Sequence, residues 1–107
     1  MSQAAKTVSS IAKPGVATGE TVGKIFALAK EQAFALPAVN CIGTNSVNAV
    51  MEAARDANSP VIIQFSNSGG AYFAGKGLAN DALQTSVLGS VVAARYVWLV
   101  AEAYGIP

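Results

Sequence analysis

The sequence predicts an α/β fold in which short parallel strands alternate with helices. Apolar residues recur at the spacing of one helix face in three segments, and an apolar, β-branched run at residues 61–65 lies between the second and the third. A run of this kind is typical of a strand that is buried on both faces, as in a parallel sheet. The predicted order is helix, strand, helix, strand, helix, which indicates an α/β fold with parallel pairing.

The first helix is predicted over residues 19–33. A Pro-Gly turn at residues 14–15 precedes it, and Thr18 can serve as its N-cap. Residues 34–40 follow as a short, mostly apolar segment that we interpret as a strand. Because Pro37 has no backbone N–H group to donate, this strand should lie at a sheet edge or begin at the proline.

A polar turn at residues 43–46 can cap the second helix. Apolar side chains repeat at helical spacing from Val47, and the Asn-Ser-Pro sequence at residues 58–60 ends this helix. After the second strand comes a glycine-rich segment, residues 66–77, which is predicted to be a loop. It follows the carboxyl end of a buried strand, which is where α/β folds place ligands.

The third helix is predicted to be long. Asp81 and Gln84 have the spacing of a capping box at its start, and Gly105 is a fitting residue just beyond its end. The apolar stretch at residues 82–101 has the length of a membrane span, but Arg95 near its middle would cost about 2.5–3.5 kcal/mol there. We therefore expect this helix to pack on the sheet, and we expect no membrane partner.

Composition narrows the functional classes. The chain has 107 residues, enough for one small domain, and 52% of them are apolar, which excludes global disorder. Seven basic against six acidic residues give a net charge of +1, so no nucleic-acid partner is expected. The absence of His removes His-based zinc sites and the Ser-His-Asp and Cys-His catalytic groups. The single Cys fits a reducing compartment, for which we expect the cytoplasm.

Residues 1–17 are interpreted as a polar lead-in to the first helix. No acidic residue precedes Glu20, and Lys6 and Lys13 stand among serines and threonines, which is faintly typical of an organelle transit peptide. The segment contains no Arg, and it lacks the apolar stretch of a secretory signal. We therefore favour the lead-in over a targeting segment in residues 1–12.

The predicted elements do not close a core by themselves. An isolated pair of parallel strands is marginally stable and leaves open edges. The third helix is apolar nearly all round and needs cover on several sides, while only 12% of the residues are charged. We expect residues 18–107 to be the opening part of a larger α/β domain, or a subunit whose core another chain completes.

A near match to a phosphate-binding P-loop lies in the glycine-rich segment. Gly70 is followed at the required spacing by Gly75 and Lys76, but the motif then requires Ser or Thr to hold magnesium, and Gly77 stands there. A P-loop should also lead directly into its helix, whereas the predicted cap of the next helix, Asp81, lies further along the chain. Nucleotide hydrolysis is therefore disfavoured.

Polar residues after the two strands are the candidate binding residues. The Ser66 hydroxyl and nearby glycine N–H groups can approach an anion, although a merely flexible connection would have the same composition. Asn40 can orient a substrate hydroxyl or satisfy the local turn. Cys41 could be a nucleophile only with a lowered pKa, and we expect a small buried residue instead. No acid stands at the carboxyl end of a strand, so no catalytic residue is predicted.

Six stretches of the sequence are distinctive when they are taken together. They are residues 13–16 (KPGV), 34–40 (FALPAVN), 48–50 (NAV), 59–67 (SPVIIQFSN), 71–77 (AYFAGKG) and 103–107 (AYGIP). In this order, and without an obvious gap from Lys13 to Pro107, they resemble class II (zinc-dependent) fructose-bisphosphate aldolase.

The resemblance implies the first part of a TIM (β/α)8 barrel, with an N-terminal helix and two βα units. It implies a zinc-dependent lyase of glycolysis, usually a homodimer, that cleaves fructose 1,6-bisphosphate reversibly to dihydroxyacetone phosphate and glyceraldehyde 3-phosphate. In that family zinc polarises the ketone and stabilises the enediolate. Asn40 matches the asparagine that touches substrate hydroxyls, and Ser66 matches the serine that binds a substrate phosphate.

The departures from the family are equally informative. The family's catalytic Asp and first zinc-ligand His lie on a strand that should begin just after Pro107. Ser68 stands where the family usually has Gly, and residues 95–98 (RYVW) replace a stretch that often carries His. We therefore expect an N-terminal fragment of an aldolase that alone is inactive, holds no metal and needs a homo-oligomer or a complementing chain. The alternative is a non-catalytic, self-associating module or an engineered fragment derived from the barrel.

Overall fold

The computed structural model describes residues 7–107, so the first six residues of the predicted lead-in lie outside it. The elements in chain order are α1 (Val8–Ile11), α2 (Glu20–Glu31), β1 (Ala38–Asn40), α3 (Thr44–Ala57), β2 (Ile62–Gln64), α4 (Asn67–Ala74) and α5 (Gln84–Tyr104). The predicted order of helices and strands is therefore confirmed, with α1 and α4 added.

The N-terminal part forms a small core of its own. Val8 and Ala12 from the α1 segment pack with Ile25 and Leu28 on α2. The lead-in is thus partly helical, which its polar composition did not indicate. Phe34 and the residues up to Pro37 were predicted to be strand, but β1 begins only at residue 38, because Phe34 and its neighbours pack against the α1–α2 cluster instead.

The two strands pair in parallel, as predicted. Ala38 is opposite Ile62, and Asn40 is opposite Gln64. One hydrogen bond at each end extends the ladder beyond the strands: the Ile62 amide donates to the Pro37 carbonyl, and the Cys41 amide donates to the Gln64 carbonyl. Both strands therefore point their carboxyl ends to the same edge of the sheet.

Only one face of this sheet is covered. Ile63 packs into the main core, which is built around the buried residues Cys41, Val47 and Met51 together with Ala101 on α5. Ile62 is 38% exposed, and Gln64 is exposed as well. The prediction that residues 61–65 are buried on both faces is therefore wrong for the described part of the chain, because β1 is its only partner strand and no described element covers the opposite face.

The segment at residues 66–77 is not a loop throughout, as predicted, but contains the two-turn helix α4. Ser66 is its N-cap, with the side-chain oxygen accepting a hydrogen bond from the Gly69 amide at 3.0 Å. Glycines at helix positions normally disfavour a helix. Here both glycines are buried: Gly70 lies against Ser86 and Ser90 on α5, and Gly69 lies against the Cys41 carbonyl and the Ile42 side chain.

The start of α5 also differs from the prediction. The helix begins at Gln84, three residues after the predicted cap Asp81, whose carboxylate accepts a hydrogen bond from the Gln84 side chain. The Asn80 side-chain oxygen caps the helix, accepting from the amides of Thr85 and Ser86 at 3.0 Å each. The end of α5 is as predicted, with Gly105 in the left-handed conformation at φ 76°.

One side of α5 is in the core and the other is exposed. The helix packs on α4 and α3, and Ala93 is fully buried. By length and composition α5 could cross a membrane, with a mean hydropathy of 1.3, but it carries Arg95 and Glu102 on its exposed side. The described chain is elongated, 61 × 22 × 19 Å, and its radius of gyration of 15.7 Å exceeds the ~13 Å typical of a compact domain of this length.

The helices α4 and α5 approach each other closely at the point where they cross. A Cβ atom placed on Gly89 would overlap the backbone carbonyl of Gly70, and one placed on Gly70 would lie 2.7 Å from the Ser86 carbonyl oxygen. Neither backbone can retreat without moving its helix. Glycine at these two positions is therefore a packing requirement.

We expect Gly89→Ala to lower the free energy of unfolding by about 3 kcal/mol or more, because the added methyl group forces the two helices apart. Gly23→Ala is the matched control, since Gly23 is exposed on α2 and nothing lies within 4 Å of its added Cβ. The control should raise stability by about 0.5–1 kcal/mol. Urea denaturation followed by circular dichroism measures both, and equal effects of the two substitutions would refute the packing requirement.

Candidate functional site

The two predicted binding residues lie together at the carboxyl edge of the sheet. The Asn40 side-chain oxygen accepts a hydrogen bond from the Ser66 amide at 3.0 Å, across 26 residues of sequence. Asn40 is the last residue of β1, and Ser66 follows β2. The Asn40 side-chain amide group has no hydrogen-bond partner among residues 7–107 and is exposed, so it can donate to a bound oxygen atom.

Ser66 lies two residues after β2 and is the N-cap of α4. Its hydroxyl accepts a hydrogen bond from the Gly69 amide. The amides of Asn67 and Ser68, which come before Gly69, have no protein acceptor in the described structure. Such amides, with the positive end of the helix dipole, favour an anion. The Ser68 hydroxyl lies 3.4 Å from the Ser66 hydroxyl, which adds a second group able to donate.

A network of side chains behind α4 holds this N-terminus in place. The Ser86 hydroxyl donates to the Asn67 carbonyl at 2.7 Å and accepts from the Asn80 side-chain amide at 3.0 Å. Ser86 is 3% exposed and lies on the first turn of α5. The position of Ser66 is thus determined by α5 as well as by β2.

Gln64 is a candidate that the sequence analysis did not single out. It is opposite Asn40 in the sheet register, and its side chain lies on the uncovered face with Ile62. The signal was present, since Gln64 is the polar residue within the apolar run at residues 61–65. Because successive side chains of a strand point to opposite faces of the sheet, the alternation would have placed Gln64 on the face opposite to that of Ile63.

Cys41 is the small buried residue that was expected. Its side chain is fully buried, its amide is part of the strand ladder, and its sulfur lies 3.7 Å from the Val39 carbonyl oxygen. Burial raises the pKa of the Cys41 thiol, although a hydrogen bond with Ser46 partly opposes this. A protonated, inaccessible thiol is not a nucleophile.

The described residues do not supply a donor set for zinc. The sequence has no His, and no group of three or more His, Cys, Asp or Glu side chains lies together in residues 7–107. The acidic side chains in this range lie on α2, α3 and α5 or, for Asp81, in the segment before α5, and none lies on a strand. No chemical step can therefore be assigned to a metal held by these residues.

The P-loop interpretation is also disfavoured by the geometry. Gly70 is buried inside α4 against α5, so its amide does not line a phosphate cradle. Lys76 is exposed beyond the end of α4. The amides without a protein acceptor in the described structure are those of Asn67 and Ser68, which precede the first glycine of the motif.

Comparison with known proteins gives one consistent family. Residues 20–107 match the family model for fructose-bisphosphate aldolase class-II. A curated fructose-bisphosphate aldolase from Edwardsiella ictaluri is 55% identical over 95 residues, covering 89% of this chain and 26% of the relative. Fructose-bisphosphate aldolase class 2 from Escherichia coli (strain K12) is 53% identical over 96 residues, covering 89% of this chain and 27% of the relative.

The fold is also that of a solved member of this family. A crystal structure of fructose-bisphosphate aldolase from Campylobacter jejuni superposes with a TM-score of 0.88 and 50% identity, covering 96% of this chain and 29% of that one. The chain thus spans about a quarter of the length of the curated relatives that it matches. The strands, the helices and the matched sequence together show that this chain belongs to the class II fructose-bisphosphate aldolase family.

Proposed function

We propose that this chain forms the sugar-phosphate-binding edge of a class II aldolase barrel. Ser66 and the amides at the α4 N-terminus bind a phosphate group of fructose 1,6-bisphosphate or of its cleavage products. Asn40 donates its side-chain amide to a hydroxyl oxygen of the same substrate. The observation that supports this most is the 3.0 Å hydrogen bond that brings Asn40 and Ser66 together with their remaining donors facing outwards.

The family activity is reversible aldol cleavage with the aid of zinc, and we propose that this chain alone does not perform it. The described residues offer neither the zinc donor set nor an acid–base group at the site. Its contribution would be binding and orientation of the substrate. We propose that the chain serves glycolysis in the cytoplasm, either as part of a homo-oligomer or together with a complementing chain.

Binding can be tested separately from catalysis. We expect fructose 1,6-bisphosphate to shift the backbone amide resonances of Asn67 and Ser68 in a heteronuclear NMR titration of the 107-residue chain, because those amides point to the proposed anion site. An aldol-cleavage assay on the same sample, with added zinc, should show no activity. Unshifted amides at saturating sugar phosphate would contradict the site, whereas turnover would contradict only the proposed inactivity.

Substitution of Ser66 separates the hydroxyl from its capping role. Ser66→Gly should weaken binding of fructose 1,6-bisphosphate about tenfold, because a charge-assisted hydrogen bond is lost while glycine still caps the helix adequately. Ser66→Thr keeps a hydroxyl and should bind within about threefold of the parent. Ser59→Ala is the control, since that hydroxyl bonds locally to the Pro60 carbonyl. Equal affinities for the Gly and Thr variants would contradict the assignment of Ser66.

Asn40→Asp separates the accepting role of Asn40 in the structure from its proposed donation to substrate. Asn40→Asp keeps the oxygen that accepts from the Ser66 amide, so stability should change by less than about 1 kcal/mol. The new carboxylate cannot donate to substrate and repels phosphate, so affinity should fall about tenfold or more. The NMR titration and urea denaturation measure the two effects, and undiminished affinity would exclude Asn40 from the site.

A further inference from the structure

The hydrogen bonds behind the candidate site run in one direction, which the chemistry of their groups determines. The Asn80 side-chain oxygen accepts from the amides of Thr85 and Ser86, so the NH2 group of that side chain is the end that donates to the Ser86 hydroxyl, at 3.0 Å. A hydroxyl has one proton, and the Ser86 proton goes to the Asn67 carbonyl at 2.7 Å. We call this sequence of donors and acceptors, from Asn80 through Ser86 to Asn67, the serine relay.

The carbonyl at the end of the serine relay belongs to the same peptide group as one of the candidate binding amides. The Asn67 carbonyl and the Ser68 N–H share one peptide unit, and none of the described peptide bonds is cis. In a trans peptide group the C=O and N–H bonds point in opposite directions. Because the Ser86 hydroxyl approaches the carbonyl from α5, the Ser68 N–H is directed away from α5.

A hydrogen bond to this carbonyl affects the amide in two ways. It fixes the orientation of the peptide plane, and with it the direction of the Ser68 N–H. It also draws electron density towards the carbonyl oxygen, which makes the N–H of the same peptide group a stronger donor, as happens when hydrogen bonds follow one another in a series. Ser86 is 3% exposed, so water hardly competes for its hydroxyl. Both effects favour an anion at the Ser68 amide.

Ser90 shows that a serine on the same helix can lack this connection. It lies one turn further along α5, and both Ser86 and Ser90 lie against Gly70 on α4. The Ser90 hydroxyl, however, donates to the Ser86 carbonyl at 2.9 Å, a bond inside α5. The two serines therefore form a matched pair in which only the Ser86 hydroxyl bonds to the peptide group of the candidate site.

We propose that Ser86 and Asn80 are positioning residues for phosphate binding, which orient and polarise the Ser68 amide through the Asn67 carbonyl. Neither side chain contacts the phosphate. The inference rests on the proposed function of the α4 N-terminus as a phosphate site, and it adds two residues outside that site. The affinity for sugar phosphate then depends on the direction of one buried proton.

Removal of the Ser86 hydroxyl tests the relay directly. Ser86→Ala should weaken binding of fructose 1,6-bisphosphate about tenfold in the NMR titration of the 107-residue chain, because the donor to the Asn67 carbonyl is lost. In the free chain it should also shift the carbonyl-carbon resonance of Asn67. Ser90→Ala is the matched control and should bind within about twofold of the parent. An equal loss of affinity in both variants would overturn the proposal.

Reversal of one hydrogen bond separates positioning from stability. Asn80→Asp keeps the oxygen that accepts from the Thr85 and Ser86 amides, so urea denaturation should show no loss of stability. The second carboxylate oxygen can only accept, and it therefore takes the Ser86 proton away from the Asn67 carbonyl. Affinity for fructose 1,6-bisphosphate should fall about tenfold in a chain that is as stable as the parent. Undiminished affinity would show that the direction of the proton does not matter.

A double-mutant cycle removes the effect of the charge that Asn80→Asp adds. In the Asn80→Asp chain the Ser86 hydroxyl no longer donates to the Asn67 carbonyl. The further substitution Ser86→Ala should therefore weaken binding by less than about twofold, instead of about tenfold in the parent. A full additional loss would mean that the two side chains act independently, and the relay would be wrong.

The titration of the parent chain separates this inference from the proposed function. A parent that binds no sugar phosphate would contradict the phosphate site, and the positioning role would fail with it. A parent that binds, with Ser86→Ala and Asn80→Asp binding equally well, would contradict the positioning role alone. Weakened binding in both of these variants, but not in Ser90→Ala, supports the proposal.

Discussion

The contact of α4 with α5 is the constraint on which the rest of the structure depends. At Gly70 and Gly89 the two backbones touch, so that no side chain fits between them. The crossing brings the first turn of α5 beneath the start of α4, where the Ser86 hydroxyl bonds to the Asn67 carbonyl. The N-terminus of α4 is therefore held against the carboxyl edge of the sheet. This contact adds to the Ser66 cap in stabilising a helix whose glycines have low helix propensity.

The candidate site follows from this arrangement. A parallel pair of strands ends at one edge, which places Asn40 beside Ser66, and the capped helix turns its first amides towards the same point. These groups are hydrogen-bond donors on rigid elements, which suits recognition of a phosphate and a hydroxyl. They include no acidic or basic side chain, which is consistent with the proposed role of binding and orienting the substrate.

The sequence allowed the regular elements to be predicted where local signals were strong. The apolar spacing of α2 and α3, the β-branched run of β2, and Gly105 after α5 all indicated the correct element. The helix α4 could not be predicted, because its glycines have low helix propensity and are explained only by tertiary packing, on α5 at Gly70 and on the residues after β1 at Gly69. Asn40 and Ser66 were singled out from their places at the end of one strand and just after the other, and the structure brings them into contact. Gln64 was overlooked because it stands inside an apolar run. The exposed face of the sheet could not be predicted either. A β-branched run has the same sequence pattern whether or not another layer of structure covers it.

Native-state hydrogen exchange is the most direct test of this account. The amides of Cys41 and Ile62 bond across the sheet, and the Ser66 amide bonds to Asn40, so together they report whether the edge that holds the site is formed. The account predicts that Cys41 and Ile62 are strongly protected and that Ser66 exchanges measurably more slowly than its unprotected neighbours Asn67 and Ser68. Exchange of all five amides at the rate of an unfolded chain would show that the strands and α4 do not assemble in this chain, and the account would be wrong.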